Sequence, residues 1–156
     1  MVFSRTQQIF LSIVPHVTGL LSIAGSLYIV IDVLRKGKVK THGRLLLGMS
    51  LSDIIVSVFY ALSTWPIPRE TEGTYFAIGN TASCRAQGFF IQLGIITPFY
   101  NGFLALHYLL ITKYNMSSDF IERNVELYLH LSAILFGIIT SVAGAVLLLY
   151  NSANLW

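Results

Sequence analysis

The sequence predicts an all-α, polytopic membrane protein with four transmembrane helices, on the evidence of its composition, its long apolar segments and the charges between them. The chain has 156 residues, of which 54% are hydrophobic and only 11% are charged. An ordinary soluble domain is about 25% charged, and the mean hydropathy here is +0.69. These values indicate a chain solvated by lipid. They exclude a disordered chain, a nucleic-acid-binding module and a disulfide-stapled secreted domain.

Four apolar segments are each long enough to cross a bilayer, which takes about 20 residues. Their approximate bounds are residues 9–34, 45–66, 86–112 and 127–150. Backbone N–H groups find no partner in lipid, so such segments must form helices or a closed barrel. Barrel strands are about ten residues long and alternate in polarity, unlike these segments. We therefore expect a single transmembrane helical domain over residues 1–156.

The charges in the loops predict the orientation, because basic residues stay on the cytoplasmic side. Seven basic residues lie in the first and third loops: Arg35, Lys36, Lys38, Lys40, Arg44, Lys113 and Arg123. Three lie on the other side: Arg5, Arg69 and Arg85. We expect an outside N-terminus, cytoplasmic loops 1 and 3, and Trp65 and Trp156 at the outer interface of a plasma membrane. The basic first loop is a topology signal, with contact to anionic lipid or an acidic partner as an additional reading.

Asp53 is the most informative residue, because a carboxylate inside a membrane span is costly. It lies nine positions after Arg44, about 13 Å into a hydrocarbon core about 30 Å thick. Insertion there costs about 2.5–3.5 kcal/mol. Helical spacing places Asp53 on one stripe with Leu46, Ser50, Ser57, Tyr60 and Thr64, opposite an apolar stripe of Leu51, Ile55, Val58 and Leu62. We expect the first stripe to face protein, with Asp53 as a hydrogen-bonded structural group, an ion or proton site, or the hub of a switch.

The other three spans also carry stripes that predict which face is buried. In span 3 the inward stripe is Gln87, Ile91, Gly94, Pro98, Asn101, Ala105, Tyr108 and Thr112, and Pro98 predicts a kink. In span 4 the small residues Ala133, Gly137, Ser141 and Ala145 recur at every fourth position. In span 1 the small residues are Gly19, Ser22, Gly25 and Ser26. Small residues at these spacings are typical of close helix packing.

No residue pattern points to catalysis, a metal or a cofactor. The four histidines lie in different segments without metal-ligand spacing, and Asp53 is the only carboxylate well inside a span. We therefore expect a protein that is not an enzyme and binds no cofactor or nucleic acid. Cys84 is the only cysteine, so it has no possible partner within these residues. It lies at the outer end of span 3, where an oxidising space makes a disulfide partner plausible.

Several short motifs together resemble the first four helices of the seven-helix G-protein-coupled receptors. Gly25-Ser26 is similar to the Gly-Asn pair of that family's first helix, and Asp53 follows Ser26 by 27 positions. The stretch LGMSLSD, which ends at Asp53, is similar to the Leu-Ala-x-Ala-Asp motif of helix 2. Thr112-Lys113-Tyr114 falls where the family has Asp-Arg-Tyr. The likeness is greatest to divergent receptor-like proteins of protists, similar to the slime-mould cyclic-AMP receptors.

The resemblance implies a function in membrane signalling and a role for each matching residue. Asp53 would anchor a polar network or ion site with Ser26, Ser50, Ser57 and Asn101. Cys84 would pair with a cysteine of the second outer loop. Trp65, Gln87 and Gln92 would lie near a pocket for an extracellular ligand. Lys113 and Tyr114 would lie at the cytoplasmic surface, where a full-length form would couple to a heterotrimeric G protein. Since the family has seven helices, we expect this chain to be a truncated product or a fragment.

Two other readings of the same sequence remain open. The first is a complete four-helix channel or junction-type protein that assembles as an oligomer. The second is half of a transporter, with Asp53 and the kinked third span forming a site at the membrane midplane. A stop codon directly after Trp156 would favour the first, and an inverted repeat would favour the second.

Overall fold

The computed structural model describes residues 4–37, 39–71 and 74–151, and it is all-α as predicted. The helices are α1 (Arg5–Arg35), α2 (Thr41–Ala61), α3 (Thr81–Gln92), α4 (Ile96–Thr112), α5 (Ser118–Asn124) and α6 (Glu126–Val146). A 3₁₀ turn at Leu93–Ile95 joins α3 to α4 in one span, Thr81–Thr112. With α1, α2 and α6 this makes four helices long and apolar enough to cross a membrane. The chain is therefore an integral multi-pass membrane protein. The predicted positions of Lys38 and Trp156 lie outside the described residues.

The ends of the helices differ from the apolar segments by several residues, because caps rather than hydropathy determine where a helix begins. The side chain of Ser4 accepts from the N–H of Gln7, whose side chain accepts in return, so α1 begins at Arg5. Asn80 and Ser83 form the same reciprocal cap, and α3 begins at Thr81. The sequence analysis did not predict α5. Its first turn is capped by the hydroxyl of Ser117, and its Ile121 is completely buried.

The helix α2 lies at the centre of the bundle. It packs against α1 on one side and against the third span on the other, and α6 packs on the third span and touches α2. The buried core lies where α2, α4 and α6 meet, and it consists of Leu45, Ile96, Tyr100, Leu129 and Ala133. Among the described helices, α1 thus packs mainly on α2, and it also contacts the loop after α2, where His16 packs against Trp65.

The predicted faces of α2 and α6 are largely confirmed. In α2, Ser50 and Ser57 are buried, whereas Leu51, Ile55 and Val58 are exposed; Tyr60 departs from its stripe and is exposed too. In α6, the three buried small residues of the predicted stripe are Ala133, Gly137 and Ser141. The fourth, Ala145, is exposed, and Gly144 is buried instead. Residues spaced four apart move gradually around a helix that has 3.6 residues per turn. A spacing of three, from Ser141 to Gly144, brings the next small residue back to the interface.

The first span shows the same drift. Gly19 and Ser26 are buried and Ser22 is half-buried, whereas Gly25 is exposed with open space around it. The prediction that all four small residues of this span pack closely is therefore wrong at Gly25.

The inward stripe predicted for the third span is wrong in its second half. Gln87 is buried, and Ile91 and Gly94 are half-buried, but the later members of the stripe are exposed: Pro98, Asn101, Ala105, Tyr108 and Thr112. The buried residues of α4 are instead Ile96, Tyr100 and His107. The 3₁₀ turn is the physical reason, because it adds about 20° per residue and moves a stripe extrapolated at α-helical spacing out of register.

Pro98 explains why the turn lies where it does. Its ring crowds the carbonyl of Gly94, four residues earlier, and it has no N–H to donate to that carbonyl. The backbone tightens into a 3₁₀ turn at Leu93–Ile95, just before the proline, and the kink of this span stays a prediction.

Candidate functional site

Two serines of α1 hold the carboxylate of Asp53. The hydroxyl of Ser22 donates to Oδ2 of Asp53 at 2.7 Å, and the hydroxyl of Ser26 donates to the same oxygen at 2.6 Å. The two serines are four residues apart, so both lie on the face of α1 that meets α2. Ser26 was predicted as a partner. Ser22 was predicted only to pack, although its spacing of four from Ser26 indicates that both hydroxyls lie on the same face of α1.

The other side of Asp53 borders a cavity of about 450 Å³ between α2 and the third span. The cavity is lined by Asp53, Val56, Tyr60, Ile91, Gln92, Gly94, Ile95 and Thr97. Among the described residues, none donates a hydrogen bond to Oδ1 of Asp53. One carboxylate oxygen of Asp53 is thus held by two serines, the other has no donor in the described part of the chain, and the residue lines the cavity.

The remaining residues of the predicted polar network do not hydrogen-bond to Asp53 in the described part of the chain. Ser50 is 1% exposed, and its hydroxyl has no partner among the described residues. Ser57 is also buried. Asn101 is exposed on α4, on a face that no described helix covers. Of the predicted network, the structure thus joins only Ser26 to Asp53.

The three predicted pocket residues lie near the end of the bundle that carries the loop between α2 and α3, and their surroundings differ. Trp65 is exposed and packs against His16, with ring centroids 5.0 Å apart. The amide of Gln87 donates to the carbonyls of Phe59 at 2.9 Å and Ser63 at 2.8 Å. It therefore satisfies carbonyls at the C-terminal end of α2, which have no partner within the helix. Gln92 lies lower and lines the Asp53 cavity.

The predicted disulfide and coupling residues are at opposite ends of the third span. Cys84 is half-buried in the first turn of α3 and is a free cysteine. Lys113 and Tyr114 follow α4 and are both exposed, with the ammonium of Lys113 5.8 Å from the centre of the Tyr114 ring. Their exposure leaves both side chains accessible from the side of loops 1 and 3.

An ion-pair network at that same end was not predicted. Nε and Nη2 of Arg44 both donate to the carboxylate of Glu126, the second at 2.8 Å. Nη2 also lies 3.1 Å from Oε1 of Glu122, and Nη1 donates to the carbonyl of Val39 at 2.6 Å. Glu126 is only 7% exposed, whereas Arg44 is partly exposed and Glu122 is exposed. In the sequence, Arg44 carries only a topology signal.

An aromatic hydroxyl and an imidazole extend this network toward the membrane core. The hydroxyl of Tyr100 lies 2.8 Å from Nδ1 of His130, and Nε2 of His130 lies 3.8 Å from Oε1 of Glu126. Nearby, His107 is 2% exposed, and its Nδ1 has no partner in the described part of the chain. No group of three metal-ligating side chains occurs in residues 4–37, 39–71 and 74–151.

The bundle thus has two polar centres, an Asp53 cluster (Asp53, Ser22 and Ser26) within the membrane and an Arg44 network (Arg44, Glu122, Glu126, His130 and Tyr100) near one surface. No family model, no curated protein and no solved structure matches the chain. Assignment of a function therefore depends on the geometry of these two centres.

Proposed function

We propose that the chain forms the first four helices of a receptor-like membrane signalling protein of the seven-helix, G-protein-coupled class. The observation that carries the proposal is the 2.6 Å hydrogen bond from Ser26 to Asp53. These are the two residues that the family resemblance aligns with the polar positions of helices 1 and 2. The proposal assigns the chain a change of conformation and no catalytic step.

The Asp53 cluster would act as the switch. A carboxylate that lines a cavity and has one oxygen held by Ser22 and Ser26 has two states, with or without a small cation such as sodium. A ligand shifts a conformational equilibrium only when it binds the two conformations with different affinity. Because the cavity lies between α2 and the third span, movement of these helices would change the affinity of Asp53 for its cation.

The third span supports the presence of further helices around this bundle. Only 11% of an apolar stretch of 18 residues in this span is buried, which is the lowest share among the four described spans. Asn101 is exposed on it, about 16 Å from the end of the span at Thr112 and so near the middle of the bilayer. An amide exposed to lipid at that depth lacks hydrogen-bond partners. In the proposed protein, helices 5 to 7 would cover this face, and a G protein would contact Lys113 and Tyr114.

A second candidate follows from the same observation. Another copy of the chain could cover Asn101, which would make the protein an oligomeric four-helix channel or junction-type protein. Determining the coding sequence beyond the codon for Trp156 separates the two candidates. Three further apolar spans, with a cysteine before them, support the receptor. A stop codon at that point, together with a defined oligomer in detergent, overturns the receptor proposal in favour of the second candidate.

The switch role has its own experiment, in cells that express the complete coding sequence. Basal G-protein activation is measured as nucleotide exchange, with and without sodium. Asp53→Asn and Ser26→Ala should each abolish the sodium dependence, because they remove the charge or its positioning donor. Ser52→Ala is the matched control, since the Ser52 hydroxyl donates within its own helix to the carbonyl of Gly48. Unchanged sodium dependence in Asp53→Asn would remove the switch from the proposal.

A further inference from the structure

A groove at the basic end of the first two helices is separate from both polar centres. It has a volume of about 390 Å³, within the range of small-molecule clefts. Its walls are the last turns of α1, the first loop and the first turns of α2, and the lining includes Tyr28, Ile29, Val33, Lys36, Lys40 and Leu46. On α1 it extends from Tyr28 to Lys36, eight residues or about 12 Å along the helix.

The two ends of the groove differ in chemistry. At the Tyr28 end the lining is apolar, with Ile29, Val33 and Leu46, and Tyr28 is 73% exposed, so the groove is open toward the surrounding lipid. At the other end the lining carries the ammonium groups of Lys36 and Lys40. A molecule that fits has an apolar chain that lies along about two turns of helix and a polar head at one end.

The charge at the lysine end favours an anionic head. Lys36 is paired with Asp32 at 2.5 Å, so these two charges largely cancel. Lys40 is exposed and forms no ion pair with any described residue, and its positive charge is left in excess. The N-terminus of α2 opens on the same mouth and adds the positive end of its dipole.

We infer that this groove binds an anionic glycerophospholipid of the adjacent leaflet. The acyl chain lies along α1 against Val33 and Leu46, and the phosphate lies between Lys40 and Lys36. The surrounding bilayer is the source of the lipid, because the apolar end of the groove opens on the lipid-facing side of α1. The inference is independent of the receptor proposal, since it requires only that the chain spans a membrane.

Native mass spectrometry of the purified chain tests the head-group preference. The chain is equilibrated with equal amounts of phosphatidylglycerol and phosphatidylcholine, and retained lipid is counted. Phosphatidylglycerol should be retained in preference. In the double variant Lys36→Gln/Lys40→Gln the preference should fall by about thirtyfold, because each basic residue near an anionic surface contributes about a factor of five. The control Lys113→Gln/Arg123→Gln removes the same charge at exposed positions outside the groove and should keep the preference.

The outcomes are decisive in either direction. Equal retention of the two lipids by the unmodified chain overturns the inference, as does an equal loss of preference in both double variants. Displacement of phosphatidylglycerol by inorganic phosphate at a matched concentration would identify a free-anion site and would also overturn it.

A second measurement needs no variant. Phosphatidylglycerol with a photoreactive group in its acyl chain is incorporated into vesicles with the chain, and the labelled residues are mapped. Label should concentrate between Tyr28 and Leu46, and unlabelled phosphatidylglycerol should compete with it at least several-fold better than phosphatidylcholine. Label spread evenly over the exposed apolar surface would contradict a specific site.

Discussion

Arg44 and Glu126 form a bidentate ion pair that joins the first turn of α2 to the first residue of α6. Both nitrogens that face the carboxylate donate to it, and Glu126 is nearly buried. Planar guanidinium and carboxylate groups match in this geometry, which a lysine cannot reproduce. The pair therefore fixes the second and fourth spans to each other at the end where loops 1 and 3 lie.

Loss of Arg44 should destabilise the bundle. Arg44→Gln leaves the Glu126 carboxylate without its main partner, and we expect a loss of about 2–4 kcal/mol, toward the low end for a broken buried pair because a third of the Arg44 side chain is exposed. The measurement is reversible unfolding in mixed micelles. Arg123→Gln, which removes an exposed charge at the same end, should change stability by less than about 0.5 kcal/mol. Equal effects of the two substitutions would refute the structural role of the pair.

The bond between Ser26 and Asp53 should be measurable as a coupling energy. Hydrogen bonds between membrane helices contribute about 0.6 kcal/mol on average and up to about 1.7 kcal/mol. A double-mutant cycle of Ser26→Ala and Asp53→Ala in the same unfolding assay should give a coupling in this range, at its upper part because the acceptor is charged. The cycle of Ser52→Ala with Asp53→Ala should be additive. A coupling near zero in the first cycle would place Ser26 outside the cluster.

The family resemblance pointed to the Ser26–Asp53 pair, whereas nothing in the sequence pointed to the Arg44–Glu126 pair, for a physical reason. A carboxylate inside a span must find donors on a neighbouring helix, which predicts that Asp53 faces protein but does not say which residue donates. Arg44 and Glu126 lie at ends of spans, where water can satisfy either residue. Arg44 and Glu126 are 82 positions apart in the sequence, and they form a pair because α2 and α6 are neighbours in the fold. The periodicity of a single helix does not predict which helices are neighbours.

The helix ends and the third span differ in how far the sequence could have predicted them. The pattern of Ser4 followed by Gln7 is a readable capping box, so the early start of α1 was within reach of the sequence. The register of α4 was not, because it depends on how the backbone relaxes around Gly94 and Pro98. Extrapolation across a proline therefore placed Asn101 inside the bundle, whereas it is exposed.

Two glycines of α1 provide a matched pair for testing helix packing. A Cβ on Gly19 would lie 2.7 Å from the backbone nitrogen of Ala61, which cannot move aside, whereas a Cβ on Gly25 would meet nothing within 4 Å. We expect Gly19→Ala to destabilise by about 1–3 kcal/mol through overpacking. Gly25→Ala should be neutral or stabilising by up to about 1 kcal/mol, since alanine favours the helix. Equal effects in the unfolding assay would contradict the close approach of α1 and α2.

Tyr150 should stabilise the packing of the chain after α6. Its ring lies against Gly88 and Gly144, and its hydroxyl donates to the carbonyl of Ser141 at 3.0 Å. Tyr150→Phe removes this hydrogen bond, and we expect a loss of about 1 kcal/mol in the unfolding assay. An unchanged free energy of unfolding would contradict the contact.

The orientation of the bundle is the last prediction, and the single cysteine makes it simple to test. In a Cys84→Ser background, one new cysteine replaces either Arg69 or Arg123, both of which are exposed. The excess of basic residues in loops 1 and 3 predicts that Arg123 is in the cytoplasm and Arg69 is outside. A membrane-impermeant maleimide should therefore label the cysteine at position 69 in intact cells and the one at position 123 only after permeabilisation. The reverse result would invert the topology and move Lys113 and Tyr114 away from any G protein.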